Sequence, residues 1–364
     1  MKHHLNTLFI QTQGTYLAKE GEAVLVKVDK KVLLRVPVHN LGGIVCFGRV
    51  GLSASLMGLC GERGVAISML SESGMFRARI NGFTSGNVLL RRQQYRLTDD
   101  SAGAASIARA IVSAKVANGR SVLLRTLRDN SDLPGKADVD AAARRMAMAL
   151  EQLQPPLPSQ TAAPLSLDSV RGLEGEAANT YFGVFDHLII AQKPEPNREQ
   201  SATGASAGFA FRTRSRRPPL DAVNALLSFL YAMLGHDARS ACECVGLDPQ
   251  VGFLHRDRPG RAGLGLDLME EFRPYLADRL ALSLINRRQV SPAGFTVTES
   301  GAVSMDDATR KAVISAYQKR KQEQVVHPYL GEKVSVGLLI HLQARLMARH
   351  IRGELDAYPA FIWK

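Results

Sequence analysis

The chain of 364 residues is long enough for two domains, since single hydrophobic cores rarely grow past about 250 to 300 residues. Its 46 Lys and Arg against 34 Asp and Glu give a formal charge of +12. Nucleic acid is therefore the first partner to consider, although a basic surface that binds nothing fits the charge equally well. No apolar stretch is long and uninterrupted enough to span a bilayer, so we expect no membrane association. The 4 cysteines show neither a zinc spacing nor a disulfide framework, which favours a reducing cytoplasm.

The first 86 residues have the pattern of a small β domain. Short runs rich in Val, Ile, Leu and Phe are separated by turn signals such as Lys-Glu-Gly-Glu at 19–22. The predicted strands are 8–11, 23–28, 32–36, 43–47, 65–69 and 77–81. Residues 53–60 have helical character and lie between two of these strands. We predict a β-sandwich-like domain over residues 1–86.

The periodicity changes after Gly86, where apolar residues begin to recur at i, i+3 and i+4. Residues 87–100 are predicted to form a connecting helix or linker, and residues 101–364 a larger all-helical domain. The predicted helices include 87–97, 102–116, 121–129, 137–152, 220–234, 269–286, 304–317 and 336–353. Two irregular stretches, 154–164 and 193–219, are rich in Pro, Ser and Gly and interrupt this pattern. The predicted fold class is α+β with two domains.

Glu174 stands in a helical segment whose neighbours are small. Gly175, Ala177 and Ala178 leave a thin helix surface, on which a metal ion or a phosphate could approach the carboxylate closely. Carboxylates are also common at solvated helix starts, where the helix dipole favours them. The segment alone leaves both interpretations open.

A single histidine ends an apolar run. His255 follows residues 251–254 and begins a basic loop that contains Arg256, Arg258 and Gly260. A histidine at such a junction can ligate a metal or contact a phosphate. It can equally be a structural hydrogen-bonding group, and the local sequence does not decide between these roles.

Asp267 and Glu270 are three residues apart, so on a helix they project from one face. Two carboxylates on one face repel each other unless a cation or a proton lies between them. Hard divalent ions such as Mg²⁺ and Mn²⁺ prefer oxygen ligands of this kind. An acidic first turn that complements the helix dipole is the alternative interpretation of the same pattern.

Taken together, these segments resemble the CRISPR-associated integrase-nuclease family, the larger of the two universal proteins of spacer acquisition. The motifs that carry the resemblance stand in the family's order and at its spacings. They are Arg171-Gly172-Leu173-Glu174-Gly175 with Tyr181-Phe182; Arg217-Pro218-Pro219 with Asp221 and Asn224-Ala225-Leu226-Leu227-Ser228; Gly246-Leu247-Asp248-Pro249 with Gly252-Phe253-Leu254-His255; and Leu266-Asp267-Leu268-Met269-Glu270-Glu271-Phe272-Arg273-Pro274. The resemblance covers essentially the whole chain. The Arg-Pro-Pro string and the Tyr358-Pro359 ending look most like the subtype I-C branch.

The resemblance implies a site for Mg²⁺ or Mn²⁺ held by Glu174, His255 and Asp267, with the family's second carboxylate falling on Glu270. Many members have aspartate at that position. Whether Glu270 ligates directly, acts through water or cedes the role to Glu271 therefore stays open. The implied activity is that of a metal-dependent DNA endonuclease and integrase, which inserts short foreign DNA spacers into the CRISPR array by 3′-OH transesterification.

The resemblance also implies partners. The N-terminal β domains would pair two chains into a homodimer, and the dimers would assemble with the small second universal adaptation protein on prespacer, CRISPR repeat and branched DNA. Phosphate contacts would come from arginines outside the metal site. The candidates are Arg212, Arg214, Arg216, Arg217, Arg256, Arg258, Arg261, Arg345 and Arg349.

Two functions from other classes compete with this interpretation. A non-catalytic basic DNA-binding scaffold of the adaptation complex would keep the charge and use the acidic cluster for no chemistry. A small-molecule metallohydrolase is the second alternative. It is disfavoured because the sequence lacks zinc-type paired histidines, a nucleophile elbow and a nucleotide-binding loop.

Overall fold

The computed structural model describes residues 6–71, 76–82, 88–154, 165–191 and 208–363. The chain forms two compact units, Met1–Asn87 and Val88–Lys364. The predicted domain boundary at residue 86 lies outside the described residues. The same holds for nearly all of the irregular stretch 154–164 and for the first part of the stretch 193–219.

The first unit is rich in strands, as predicted. Its elements are β1 (Asn6–Ile10), β2 (Tyr16–Glu20), β3 (Ala23–Val28), β4 (Lys31–Pro37), β5 (Leu41–Phe47), β6 (Gly51–Leu52), α1 (Ala54–Glu62), β7 (Ala66–Leu70) and β8 (Phe76–Ile80). One sheet has the strand order β1-β5-β7-β8, and the other has the order β4-β3-β2-β6. β5 and β7 run parallel, so the chain needs a crossover between them, which contains α1. Both sheets and α1 contribute to one buried apolar cluster that includes Leu17, Ile44, Leu56 and Ile67.

The second unit is mainly helical. Its helices are α2 (Val88–Asp99), α3 (Ser101–Asp129), α4 (Lys136–Gln152), α5 (Leu167–Gly183), α6 (Ala222–Val245), α7 (Gly263–Glu270), α8 (Arg279–Asn286), α9 (Asp307–Gln322) and α10 (Leu339–Ile351). A π-helical segment, Arg273–Asp278, joins α7 to α8. Aspartate caps begin several helices; Asp100, for example, accepts from the first backbone N–H groups of α3. No helix within the described ranges is long and apolar enough to cross a membrane.

The prediction that residues 101–364 are all-helical is wrong in two places. β9 (Phe295–Val297) pairs with β10 (Val303–Met305), and β11 (Gln324–Val326) pairs with β12 (Lys333–Ser335), both antiparallel. Each strand is only 3 residues long, which is too short for a period of two to be told from helical spacing. A glycine with positive φ lies in each connection, Gly301 at +77° and Gly331 at +68°.

α3 is the helix around which the second unit is arranged. It packs against α4, α5, α7 and the π-helical segment. The sequence predicts two helices here, 102–116 and 121–129, but the structure has one helix that runs through Gly119. A Cβ at that glycine would lie 3.0 Å from Cε of Met146, so the small residue permits close packing of α4 rather than ending α3. This arrangement places one side of α3 between the acidic positions of α5 and α7.

Candidate metal and nucleic-acid site

α5 supplies the first acidic residue. Ser166 caps this helix by accepting from the backbone N–H of Ser169, and Glu174 follows two turns later. The Glu174 side chain is 28% exposed, and its Oε1 forms an ion pair with Nζ of Lys115 on α3. A Cβ added at the neighbouring Gly175 would meet nothing within 4 Å, so this helix face is open.

α7 supplies Glu270 at its last turn. Its side chain is 3% exposed, with Nζ of Lys115 at 2.8 Å from Oε2 and a guanidinium nitrogen of Arg273 at 3.2 Å from Oε1. Nε2 of His255 lies 3.9 Å from the same Oε1. Burial by itself raises the pKa of Glu270, but the charges on Arg273 and Lys115 outweigh it, and the pKa is lowered from 4.5 to about 2. Glu270 is therefore a buried carboxylate that stays ionised.

Asp267 holds the loop that presents His255. It is 0% exposed, and its Oδ2 accepts from the backbone N–H groups of Phe253 at 2.6 Å and Leu254 at 3.0 Å. Its Oδ1 accepts from the backbone N–H of His255 at 3.1 Å and lies 2.6 Å from Nδ1 of that imidazole. Both carboxylate oxygens are thus engaged. A carboxylate at Nδ1 favours the tautomer in which Nε2 carries the free lone pair, on the side of Glu270.

Gly252 explains why the loop can approach α7 so closely. A Cβ at this position would lie 2.7 Å from Oδ2 of Asp267 and 2.6 Å from the backbone of Gly263. Any larger residue would push the 252–255 backbone away from the carboxylate. The glycine that begins the Gly-Phe-Leu-His motif is therefore a packing requirement of this turn.

Lys115 occupies the space between the two glutamates. Its ammonium pairs with Glu174 and with Glu270, and only 14% of its side chain is exposed. As the side chains stand, no group of three or more His, Cys, Asp and Glu within the described ranges is arranged to hold a metal ion. The donor set nevertheless suits a divalent cation, because two carboxylates flank a point that a cation already fills and an imidazole nitrogen lies 3.9 Å from one of them. Nothing in the sequence indicates Lys115 as a member of the site, since a lone lysine on a long helix carries no signal.

Glu271 points into a different network. Its carboxylate accepts from the backbone N–H of Phe361 at 2.6 Å, from Nε2 of Gln343 at 2.9 Å and from the hydroxyl of Tyr358. Burial raises the pKa of Glu271 to about 7 against the effect of these hydrogen bonds. Glu271 therefore anchors the C-terminal residues, and Glu270 is the glutamate that faces Glu174 and His255.

A cavity of about 350 Å³ adjoins Glu174 and Lys115. Three of the predicted DNA-contacting arginines, Arg212, Arg214 and Arg216, line it. On its wall, Tyr231 lies between two guanidinium groups, with Cζ of Arg214 5.2 Å and Cζ of Arg273 4.7 Å from the ring centroid. The Tyr231 hydroxyl donates to Asp278 at 2.6 Å. The cavity wall beside the acidic residues is therefore strongly basic.

The other predicted DNA-contacting arginines lie elsewhere. Arg256 donates to Asp168 at 3.0 Å, and Arg349 donates to Glu354 at 3.0 Å on the surface after α10. The remaining four are Arg217 and Arg258, which are exposed, Arg261, which is half-buried, and Arg345, which is exposed on α10. These positions are not gathered around the cavity as Arg212, Arg214 and Arg216 are.

Comparisons with known protein sequences all point to one family. The family model described as "CRISPR associated protein Cas1" matches residues 8–319. The chain is 49% identical over 364 residues to CRISPR-associated endonuclease Cas1 1 of Chlorobaculum tepidum, covering 100% of both chains. It is 49% identical over 365 residues to CRISPR-associated endonuclease Cas1 2 of Rhodospirillum rubrum, again covering 100% of both.

Solved structures share the fold at low sequence identity. A Cas1 protein from Thermotoga maritima matches with a TM-score of 0.75 and 22% identity, covering 97% of this chain and 99% of that one. A casposase bound to an integration product matches with a TM-score of 0.76 and 19% identity, covering 99% of this chain and 94% of that one. The strand-rich first unit and the larger helical second unit are thus an arrangement that these proteins have in common.

Proposed function

Because the chain belongs to the Cas1 family of CRISPR-associated proteins, we propose that it is a divalent-metal-dependent DNA endonuclease and integrase that inserts short DNA spacers into a CRISPR array. The observation that carries this proposal is the grouping of Glu174 and Glu270 about the ammonium of Lys115, with Nε2 of His255 3.9 Å from Oε1 of the same Glu270. Of the functions considered, only metal-assisted chemistry on a polyanion uses both this acidic cluster and the basic cavity beside it.

The proposed ligands of Mg²⁺ or Mn²⁺ are Glu174, His255 and Glu270. Asp267 has the different role of fixing the tautomer and orientation of His255, because its two oxygens already accept from the 253–255 loop. A bound divalent ion would polarise the scissile phosphate and stabilise the charge that develops on it. Compared with the site implied by the family resemblance, this assignment exchanges the roles of Asp267 and Glu270.

Two cationic side chains act with the carboxylates. Arg273 holds Glu270 from the cavity side and keeps it ionised. Lys115 has to leave the point between the glutamates before a divalent ion can enter, because its ammonium and the metal ion are both positively charged and would repel each other there. Since Lys115 also lines the cavity, its ammonium is then in place to donate to a phosphate oxygen.

The reaction that we propose is an in-line exchange at phosphorus. The 3′ hydroxyl of a short DNA forms a new P–O bond, the P–O bond to the original 3′ oxygen breaks, and that oxygen leaves with the proton. With water as the nucleophile, the same exchange is hydrolysis, which gives nuclease activity on branched or free DNA. The exposed Arg212 and Arg216 supply donors for the flanking phosphates, whereas Arg214 donates to Asn224 and Ser228 and adds positive charge to the wall.

We further propose the assembly that the family resemblance implies. A homodimer would form through the first unit, where the edge strand β4 exposes three consecutive apolar residues, Val32 (52%), Leu33 (65%) and Leu34 (47%). A chain of a solved Cas6-RT-Cas1–Cas2 complex has the same fold, which supports the small second adaptation protein as a partner. We place the protein in the cytoplasm and in the subtype I-C branch.

A half-site joining assay tests the proposed function. Labelled short DNA with free 3′ hydroxyls is incubated with a repeat-bearing target, with and without Mn²⁺, and wild type is compared with His255→Ala. We expect joining only with Mn²⁺ and a loss of at least about a hundredfold in the variant, since removal of one ligand costs several kcal/mol and each 1.36 kcal/mol is tenfold. DNA affinity should be retained. Wild type that binds DNA but never joins it would favour the scaffold alternative.

Lys115→Met gives a second prediction, which needs no DNA. Without the internal cation, the carboxylates of Glu174 and Glu270 lose their shared partner, so the apoprotein should be destabilised by about 3 kcal/mol. Mn²⁺ should bind about tenfold or more tightly, because it no longer competes with an ammonium, and should restore the lost stability. Calorimetric titration and thermal unfolding measure both effects. Lys136→Met is the matched control, because Lys136 donates to the backbone carbonyl of Ser131. An unchanged Mn²⁺ affinity in Lys115→Met would contradict the prediction.

A further inference from the structure

Three arginines converge on two aromatic rings near the C-terminal end of the described chain. Cζ of Arg279 lies 4.1 Å from the ring centroid of Trp363, and Cζ of Arg125 lies 5.4 Å from the same ring. Cζ of Arg320 lies 5.4 Å from the ring of Tyr275, which itself lies 5.4 Å from Trp363. We call Arg125, Arg279 and Arg320 with these two rings the tail arginine cluster.

The tail arginine cluster carries more positive than negative charge. Arg125 contacts Asp129 at 3.5 Å, but Asp129 is also contacted by Arg128 at 3.0 Å. Arg320 pairs with Glu323. Among the described residues, Arg279 has no ion pair or hydrogen bond and is held by its two rings alone. Four arginines therefore share two carboxylates.

The crowding affects Arg279 itself. Burial, followed by the charges of Arg320 and Arg125, lowers its pKa from 12.5 to about 10. The guanidinium remains charged at neutral pH, so the repulsion is tolerated rather than relieved. A bound anion would relieve it, and the guanidinium fork that Arg279 leaves unpaired is the donor geometry that phosphate oxygens accept.

The position of the cluster relates it to the candidate metal site. Arg125 follows Lys115 by ten residues on α3, which corresponds to about 15 Å along the helix axis at 1.5 Å per residue. Between them, Asn118 fixes the tail along α3: its Oδ1 accepts from the backbone N–H of Trp363 at 2.7 Å, and its Nδ2 donates to the carbonyl of Phe361 at 2.9 Å. One strand of duplex DNA carries a phosphate every ~3.4 Å of axis, so ~15 Å corresponds to four or five base pairs.

We propose that the tail arginine cluster binds the DNA backbone four or five base pairs from the reacting phosphate, with Arg279 as its central phosphate contact. The inference rests on the proposed function, because that function supplies the DNA strand at Lys115. Trp363 shapes the site by holding the Arg279 guanidinium over its ring, 4.1 Å from the centroid. An acidic segment of a protein partner is the competing occupant, and binding to duplexes of two lengths distinguishes it from DNA.

The test compares two duplexes, one that extends eight base pairs beyond the joining point and one that ends after two. Arg279→Gln should bind the long duplex about five- to tenfold more weakly near 150 mM salt. The negative slope of log K against log salt should become shallower by about 0.9, the value for one lost phosphate contact. Binding and Mn²⁺-dependent joining of the short duplex should match wild type. Arg144→Gln, which removes an exposed arginine paired with Asp140 on α4, should change neither duplex.

Other results would overturn the inference. An unchanged salt slope in Arg279→Gln excludes a phosphate contact. If the variant keeps its DNA binding but no longer binds an acidic protein partner, the cluster is assigned to that partner. Equal losses on both duplexes with a lowered melting temperature mean that Arg279 only holds the tail. Because Arg279→Gln loosens Trp363, Arg320→Gln is measured in parallel; it removes a charge without touching that ring and should show the same dependence on duplex length. Absence of joining by wild type on the short duplex would contradict the proposed function instead.

Discussion

Glu270→Gln is expected to abolish Mn²⁺-dependent strand joining, by about a thousandfold or more, while the same substitution at Glu271 leaves joining close to wild type. Loss of a charged ligand removes several kcal/mol of stabilisation from the developing charge. Glu270 faces Lys115, Arg273 and His255, whereas Glu271 accepts hydrogen bonds from the C-terminal residues. The two neighbouring glutamates therefore form a matched pair, because the same Glu→Gln change is made at adjacent positions whose side chains enter different networks.

Single-turnover joining rates and thermal unfolding separate the two effects. Glu270→Gln should also lose about 3 kcal/mol of stability, because Lys115 and Arg273 pair with different oxygens of Glu270 and one of them would face the amide N–H groups. Joining rates are therefore compared at a temperature at which both variants are folded. Glu271→Gln should lose roughly 1–3 kcal/mol of stability, because a neutral amide has to satisfy donors that a carboxylate accepted from. The assignment fails if Glu271→Gln is the variant that stops joining, or if Glu270→Gln joins DNA at the wild-type rate.

Asp267→Ala should have the largest effect on stability of the substitutions considered. It leaves the backbone N–H groups of three consecutive residues, Phe253, Leu254 and His255, without their acceptor in a buried place. A buried donor without a partner costs about 1–3 kcal/mol, so the total loss should be on the order of 3 kcal/mol or more. The imidazole of His255 also loses the carboxylate that orients it, which should weaken Mn²⁺ binding about 10- to 100-fold.

Urea unfolding and Mn²⁺ titration of the same preparation measure both consequences. Asp257→Asn is the control, because Asp257 is exposed in the same loop, and its substitution should change stability by less than about 0.5 kcal/mol. Asp267→Asn keeps the shape but turns an amide nitrogen toward at least one backbone donor, so it should also be destabilised. Unchanged stability with complete loss of metal binding would instead make Asp267 a direct ligand.

The order of strands and helices follows from local sequence patterns more than from any long-range feature. Short runs of Val, Ile, Leu and Phe with turn signals between them predict the strand-rich first unit, and α1 lies where helical character interrupts the strands. The short hairpins β9–β10 and β11–β12 were missed, because three-residue strands give no readable period. The gap between the predicted helices 102–116 and 121–129 contains Gly119, whose small size serves the packing of Met146, and only the tertiary structure reveals this contact.

The sequence predicts the acidic residues and the histidine of the candidate site, but not its cationic residues, Lys115 and Arg273. The motifs that resemble the family name Glu174, His255, Asp267 and Glu270, and the comparisons confirm that family. They do not separate Asp267 from Glu270, because that distinction depends on which carboxylate meets the backbone of residues 253–255. Lys115 comes from a helix that lies far away in the sequence, so no local pattern connects it with Glu174.

The arginines proposed to contact DNA could likewise be predicted only where they lie close together in the sequence. Clustering in the sequence identified Arg212, Arg214 and Arg216, which line the cavity. Arg125, Arg279 and Arg320 come from three helices; Arg125 and Arg279 meet at Trp363, and Arg279 and Arg320 meet at Tyr275. The predicted DNA contacts of all these arginines stay predictions, including those of Arg217, Arg256, Arg258, Arg261, Arg345 and Arg349 outside the cavity, as do the homodimer and the second adaptation protein.

The position of the metal ion is the most direct test of the proposed site. Crystals grown with Mn²⁺ are measured at the manganese absorption edge, so that anomalous scattering locates the ion independently of the protein coordinates. We expect one strong peak bounded by Glu174, Glu270 and Nε2 of His255, with Lys115 displaced and Asp267 still bonded to the 253–255 backbone. A peak ligated by Asp267 with Glu270 uninvolved, or Lys115 still between the glutamates at saturating Mn²⁺, would contradict it.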